Sequence, residues 1–161
     1  MKRYIHDQIV QDLKHDKMVI LTGPRQVGKT YLTRALMGKF SNAAYFNYDA
    51  PEFTGVIEKR QFHPESELIV LDEIHKMKNW KQYLKGLYDT RNKGQKILVT
   101  GSARMETFRQ GGESLAGRYY HHRLMPLSLK ELELAKESVD LTRLMTLGGF
   151  PQPYLSNSAT E

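Results

Sequence analysis

The octapeptide Gly23-Pro24-Arg25-Gln26-Val27-Gly28-Lys29-Thr30 constrains this chain more than any other stretch of it. An apolar run, Met18 to Thr22, leads into it, and Tyr31, Leu32, Ala35 and Leu36 follow at a spacing that predicts a helix stopping near Gly38. Strand, glycine-bounded loop and helix form the context in which G-x-x-x-x-G-K-[ST] wraps a phosphate. The glycines carry no Cβ, so backbone N–H groups can turn inward around an anion. The helix that begins here aims the positive end of its dipole at the same point. Lys29 adds a full charge that reaches outer phosphates, and Thr30 offers a hydroxyl to Mg²⁺. Arg25 either touches phosphate or pairs with an acid elsewhere. With glycine near 7% of residues, chance matches in a chain of this length number on the order of 0.01. The motif therefore decides the reading, and Gly23 to Tyr31 are the candidate nucleotide contacts.

A second signal supports it. Leu68-Ile69-Val70-Leu71 is an apolar run ending in Asp72-Glu73. A buried strand of this kind delivers both carboxylates to the carboxyl edge of a sheet, where open α/β folds bind ligands. Asp72 is placed to hold Mg²⁺ through its water shell. Glu73 is placed to orient a water for attack on a γ-phosphate. The neighbouring Ile74 and His75 complete a D-E-I-H string similar to a helicase box, but a helicase needs a second motor lobe that 161 residues cannot supply.

Further short runs alternate with helical patterns. Ile5, Ile9 and Leu13 predict an amphipathic helix. Ala43–Tyr48, Ile97–Val99 and Tyr119–Leu124 predict strands, and Pro51 opens a short helix. Trp80, Leu84, Leu87, Tyr88 and Arg91 share a helix face, and Leu129–Lys136 gives a further helix. This alternation argues for one α/β domain with a five-stranded, mainly parallel sheet and helices on both faces. Residues 1–125 form the expected core, 126–155 the start of a helical lid or extension, and 156–161 a polar tail.

Composition narrows the classes. Zero cysteines remove disulfides, zinc–thiolate sites and thiol nucleophiles. No apolar run spans a membrane, and the N-terminus lacks the apolar core of a secretory signal, so a cytoplasmic location is expected. His75, His121 and His122 have no metal-ligand spacing. Twenty-four Lys and Arg against 18 Asp and Glu leave a net charge of +6, compatible with an anionic partner. Lys78, Lys81 and Lys85 lie opposite the Trp80–Leu84–Tyr88 stripe and either track a nucleic-acid backbone or form a solvated face. At the fourth strand's end, Thr100 or Ser102 can bond an attacking water or γ-phosphate, or cap a helix. Arg118 precedes the fifth strand, where it can face a neighbouring subunit's phosphate, and Arg104 and Arg109 compete for that role.

Taken in order, G-P-R-Q-V-G-K-T, L-I-V-L-D-E-I-H-K-M-K-N-W, I-L-V-T-G-S-A, A-G-R-Y, M-P-L-S-L-K-E-L and G-G-F-P-Q-P-Y resemble the AAA-type ATPases of bacteria and archaea that usually carry a C-terminal domain of unknown function. The resemblance runs from about Lys2 to Tyr154. It implies a three-layer P-loop NTPase fold of the additional-strand type, with the fourth strand between the phosphate-loop strand and the Asp72 strand. It implies ATP and Mg²⁺ as ligands and Gly23–Thr30 as the Walker A loop. Asp72 and Glu73 fall at the Walker B acid and catalytic acid, Ser102 at the sensor position, and Arg118 at an arginine finger serving a homo-oligomer. Family members continue through a lid and a further domain where this sequence has only the lid's start. The expected activity is Mg-dependent ATP hydrolysis. The alternatives are a nucleotide-gated binding module, a small-molecule phosphotransferase, or a nucleic-acid motor component; adjacent Asp72 and Glu73 favour water over a small-molecule acceptor.

Overall fold

A computed structural model describes residues 1–103, 105, 115–135 and 140–156. The sheet consists of β1 (Met18–Gly23), β2 (Ala43–Asn47), β3 (Leu68–Asp72), β4 (Lys96–Ser102) and β5 (Tyr119–Arg123). Its order is β2-β3-β4-β1-β5. Every pairing is parallel, so the sheet is parallel throughout rather than mainly so. As the resemblance implied, β4 lies between β1 and β3.

The layers follow from strand alternation. Successive side chains point to opposite faces, so β1, β3 and β4 each feed two cores. On one face Met18, Ile20, Ile69, Leu71, Ile97 and Val99 pack with Ile57 of α3 (Pro51–Glu58) and with Trp80, Leu84 and Leu87 of α4 (Trp80–Thr90). On the other, Val19, Leu21, Leu68, Val70 and Leu98 pack with Ile5, with Ile9 and Leu13 of α1 (His6–Lys14), and with Leu32 and Leu36 of α2 (Lys29–Met37). Strands β1 and β3 are buried along their whole length, as a strand covered on both faces must be. Edge strands β2 and β5 are only partly buried.

Three short helices follow the sheet: α5 (Leu129–Leu134), α6 (Leu141–Leu147) and α7 (Pro151–Leu155). Helix α5 stops two residues before the predicted end; Lys136, like Arg104, Arg109 and residues 157–161 of the polar tail, lies outside the described residues. Lys78 precedes α4 rather than lying on it, and Arg91 caps its C-terminus, where its guanidinium stacks on Tyr88 and bonds Asp16. No helix among the described residues is long and apolar enough to cross a membrane.

Candidate nucleotide site

The phosphate-loop motif sits where the parallel topology requires, between the carboxyl end of β1 and the N-terminus of α2. Two of its glycines have no replacement. A Cβ on Gly23 would fall 2.4 Å from the Leu124 carbonyl oxygen, and Gly28 has φ 96°, in the left-handed region. Val27 is fully buried in the α1/α2 core and pins the loop from beneath.

Lys29 is buried, and its Nζ donates to the carbonyls of Gly23 (3.0 Å) and Pro24 (2.7 Å). Its pKa is lowered, chiefly by burial, against the raising influence of Glu73 and Asp72. The ammonium is therefore held within its own loop by two backbone carbonyls. Arg25, Gln26, Gly28, Lys29, Thr30, Tyr31, Glu73 and Gln152 enclose a cavity of about 300 Å³.

Asp72, 5% exposed, ends β3. Alternation sends its side chain, with those of Tyr45 on β2 and Thr100 on β4, toward the face covered by α2. Both of its oxygens accept hydroxyl hydrogens, one from Tyr45 and one from Thr100. Burial, then the bond to Asp72, pushes the Tyr45 phenol well above its ordinary range, so it stays a donor. Two hydroxyl donors leave a carboxylate with lone pairs to spare. The Asp72 carboxylate and the hydroxyl of exposed Thr30 are hard oxygen donors of the kind Mg²⁺ takes alongside substrate phosphates, so the chemistry of the two side chains fits the ion.

Glu73 stands at the next position with φ 57°, a left-handed conformation that turns the chain off the strand. Its carboxylate lies 3.6 Å from His75 Nδ1 and 4.0 Å from Lys76 Nζ. The other nitrogen of His75 is 3.3 Å from Ser102 Oγ. His75 thus stands between Glu73 and Ser102, and burial holds its pKa below the usual value. Of the two hydroxyls weighed from the sequence, Thr100 meets Asp72 and Ser102 meets His75. Arg118 lies at the opposite edge of the sheet: its carbonyl accepts from Met18 at the start of β1, five residues from Gly23, or roughly 16 Å along the strand. There its guanidinium pairs with Asp89 at 2.9 Å.

Sequence reasoning missed two supports. Tyr45 falls within a predicted strand, and nothing in the local sequence marks its contact with Asp72. Arg3, 4% exposed, donates to Glu131 Oε1 (2.8 Å), to the Val27 carbonyl of the phosphate loop (2.7 Å) and to the Met125 carbonyl (2.5 Å). One guanidinium so joins the N-terminal segment, the loop, the exit of β5 and helix α5.

Residues 15–133 match the AAA domain family. The chain belongs to that family. This AAA domain is 32% identical over 147 residues to an uncharacterised protein of Mycobacterium tuberculosis, covering 88% of the chain and 31% of that protein. It is 25% identical over 175 residues to an uncharacterised protein of Haemophilus influenzae, covering 93% of the chain and 43% of that protein. The AAA domain therefore spans less than half the length of these curated relatives. Among solved structures it is similar to AMPPCP-bound DnaA from Aquifex aeolicus, with TM-score 0.63, 13% identity, and 95% of this chain and 57% of that one covered. It is also similar to the Aeropyrum pernix ORC1 protein in complex with DNA, with TM-score 0.56, 11% identity, and 83% and 48% covered. At these identities the likeness is one of fold: an AAA-type P-loop ATPase core.

Proposed function

We propose that this AAA domain binds Mg·ATP across Gly23–Thr30 and hydrolyses its terminal phosphoanhydride. The observation that carries the reading is the cavity that brings Lys29, Thr30 and Glu73 together at the carboxyl edge of the sheet. Backbone N–H groups of the loop and the Lys29 ammonium bind the triphosphate, with Arg25, Gln26 and Tyr31 on the walls. Thr30 and Asp72 would hold Mg²⁺, which neutralises phosphate charge when bound. Glu73 orients the attacking water, and Ser102 senses the γ-phosphate through or beside His75. The Lys29 ammonium, bonded to the Gly23 and Pro24 carbonyls, and the Glu73 carboxylate, beside His75, line this same cavity.

Glu73→Gln keeps size and removes the charge. It is expected to retain Mg·ATP affinity within about threefold while slowing phosphate release by about 10²-fold or more. Hydrolysis at the parent rate would remove Glu73 from its role.

Two parts of the reading concern partners. Arg118 serves as a finger for a neighbouring copy, leaving Asp89 to do so. Lys81 and Lys85 on α4, with Lys78 before it, meet a nucleic-acid backbone; the likeness to a protein solved with DNA supports this. Changing all three lysines to alanine should lower the slope of log affinity against log salt by about 2 to 3 if each touches a phosphate.

A further inference from the structure

The string Gly148-Gly149-Phe150-Pro151-Gln152-Pro153-Tyr154 lies far in sequence from the phosphate loop, yet the fold carries it back there. Its path is anchored at both ends. The Leu127 N–H donates to the Gly149 carbonyl at 2.6 Å, and a Cβ on Gly149 would fall 2.5 Å from the Leu127 carbonyl oxygen, so the two backbones meet with no room for a side chain. Phe150 packs against the α1/α2 core. At the other end Tyr154, 5% exposed, is buried with Leu127 and Leu132. Pro151 opens α7 beside the loop: a Cβ built on Gly28 would lie 3.9 Å from Pro151 Cγ. Between these fixed points Gln152 is exposed, and it lines the same cavity as Gly28, Lys29, Thr30 and Glu73.

We propose that Gln152 is a nucleotide-contacting residue, whose carboxamide nitrogen donates to a β- or γ-phosphate oxygen of the bound triphosphate. The strap from Gly149 to Tyr154 fixes it there, so the site is completed by a segment beyond the sheet. A primary amide suits the position chemically. It has two N–H donors, carries no charge, and an anionic oxygen makes the bond charge-assisted. Being neutral, it adds a contact without adding charge beside Lys29 and Glu73. This inference rests on the reading of Gly23–Thr30 as the Mg·ATP site.

The test is calorimetric titration of Mg·ATP and of AMP into the parent chain, Gln152→Ala and Gln152→Glu. Because the side chain is exposed, both variants should unfold at the parent temperature. Gln152→Ala should weaken Mg·ATP binding about tenfold, the size of a hydrogen bond to a charged group. Gln152→Glu should weaken it further by facing phosphate with a like charge. AMP, which lacks the outer phosphates, should lose less in both. Variants that bind Mg·ATP within about twofold of a binding-competent parent overturn this inference and leave the phosphate-loop reading standing. Equal losses for AMP and ATP overturn the phosphate contact as well. A folded parent that takes up no Mg·ATP overturns the phosphate-loop reading and this inference together.

Discussion

At 5% exposure the Asp72 side chain is satisfied by two hydroxyls, from Tyr45 and Thr100, one at each of its oxygens. A buried polar group stripped of a partner costs the desolvation it can no longer offset. Thr100→Val keeps the shape, removes one donor, and is expected to lower stability by about 1–3 kcal/mol, read from the urea midpoint at unchanged slope. An unchanged midpoint would show that Asp72 does not depend on that bond. Asp72 and Glu73 were legible in the sequence because one apolar run ends on both. Their partners were less so. Tyr45 reaches Asp72 across the β2–β3 register, and nothing local in A-A-Y-F-N marks it. His75 has no metal-ligand spacing in the sequence; its place between Glu73 and Ser102 depends on the left-handed turn at Glu73, which no sequence pattern announces.

At the scale of elements, α5 is fixed from both sides. Ser128 and Glu131 form a reciprocal capping box, and the same Glu131 accepts from Arg3 and from the Tyr4 N–H. Burial alone would raise the Glu131 pKa, but the Arg3 bond and the N–H groups of Ser128 and Tyr4 outweigh it and hold the carboxyl below its usual range. Because the folded value is depressed, the stability it brings is full above the unfolded value of about 4.3 and is lost as pH falls through the folded one. Arg3→Ala leaves the buried Glu131 without its opposite charge, at a cost of about 3–5 kcal/mol at neutral pH. The acid side of the stability profile should flatten in the variant. A neutral-pH stability equal to the parent's would contradict this account of the joint. The capping box is visible at local spacing in S-L-K-E. The Arg3–Glu131 pair spans 128 residues and exists only once the sheet has brought the exit of β5 beside the N-terminus.

Across the whole molecule, strand alternation divided the apolar residues between two cores, and the parallel topology set the phosphate loop and the Asp72-Glu73 tip at one edge. That much was legible, because apolar runs bounded by glycine and acid mark buried parallel strands. Which strand neighbours which came from the resemblance, since periodicity carries no strand order. The same topology sends Arg118 to the far edge, out of reach of its own loop, so a catalytic role for it requires a second copy. Its pair with Asp89 is exposed, raises the Arg118 pKa through that hydrogen bond, and is cheaply exchanged. Arg118→Ala should reduce hydrolysis by on the order of 10³ to 10⁵ in an assembled oligomer of confirmed mass. A parent-like rate in that assembly would remove the finger.

Everything catalytic presupposes that the loop grips a triphosphate. Calorimetric titration of Mg·ATP into the parent chain and into Lys29→Ala tests that most directly. The account predicts saturable one-to-one binding by the parent and its loss in a Lys29→Ala chain that remains folded. A folded parent that takes up no Mg·ATP, or a Lys29→Ala variant that binds as the parent does, would contradict it.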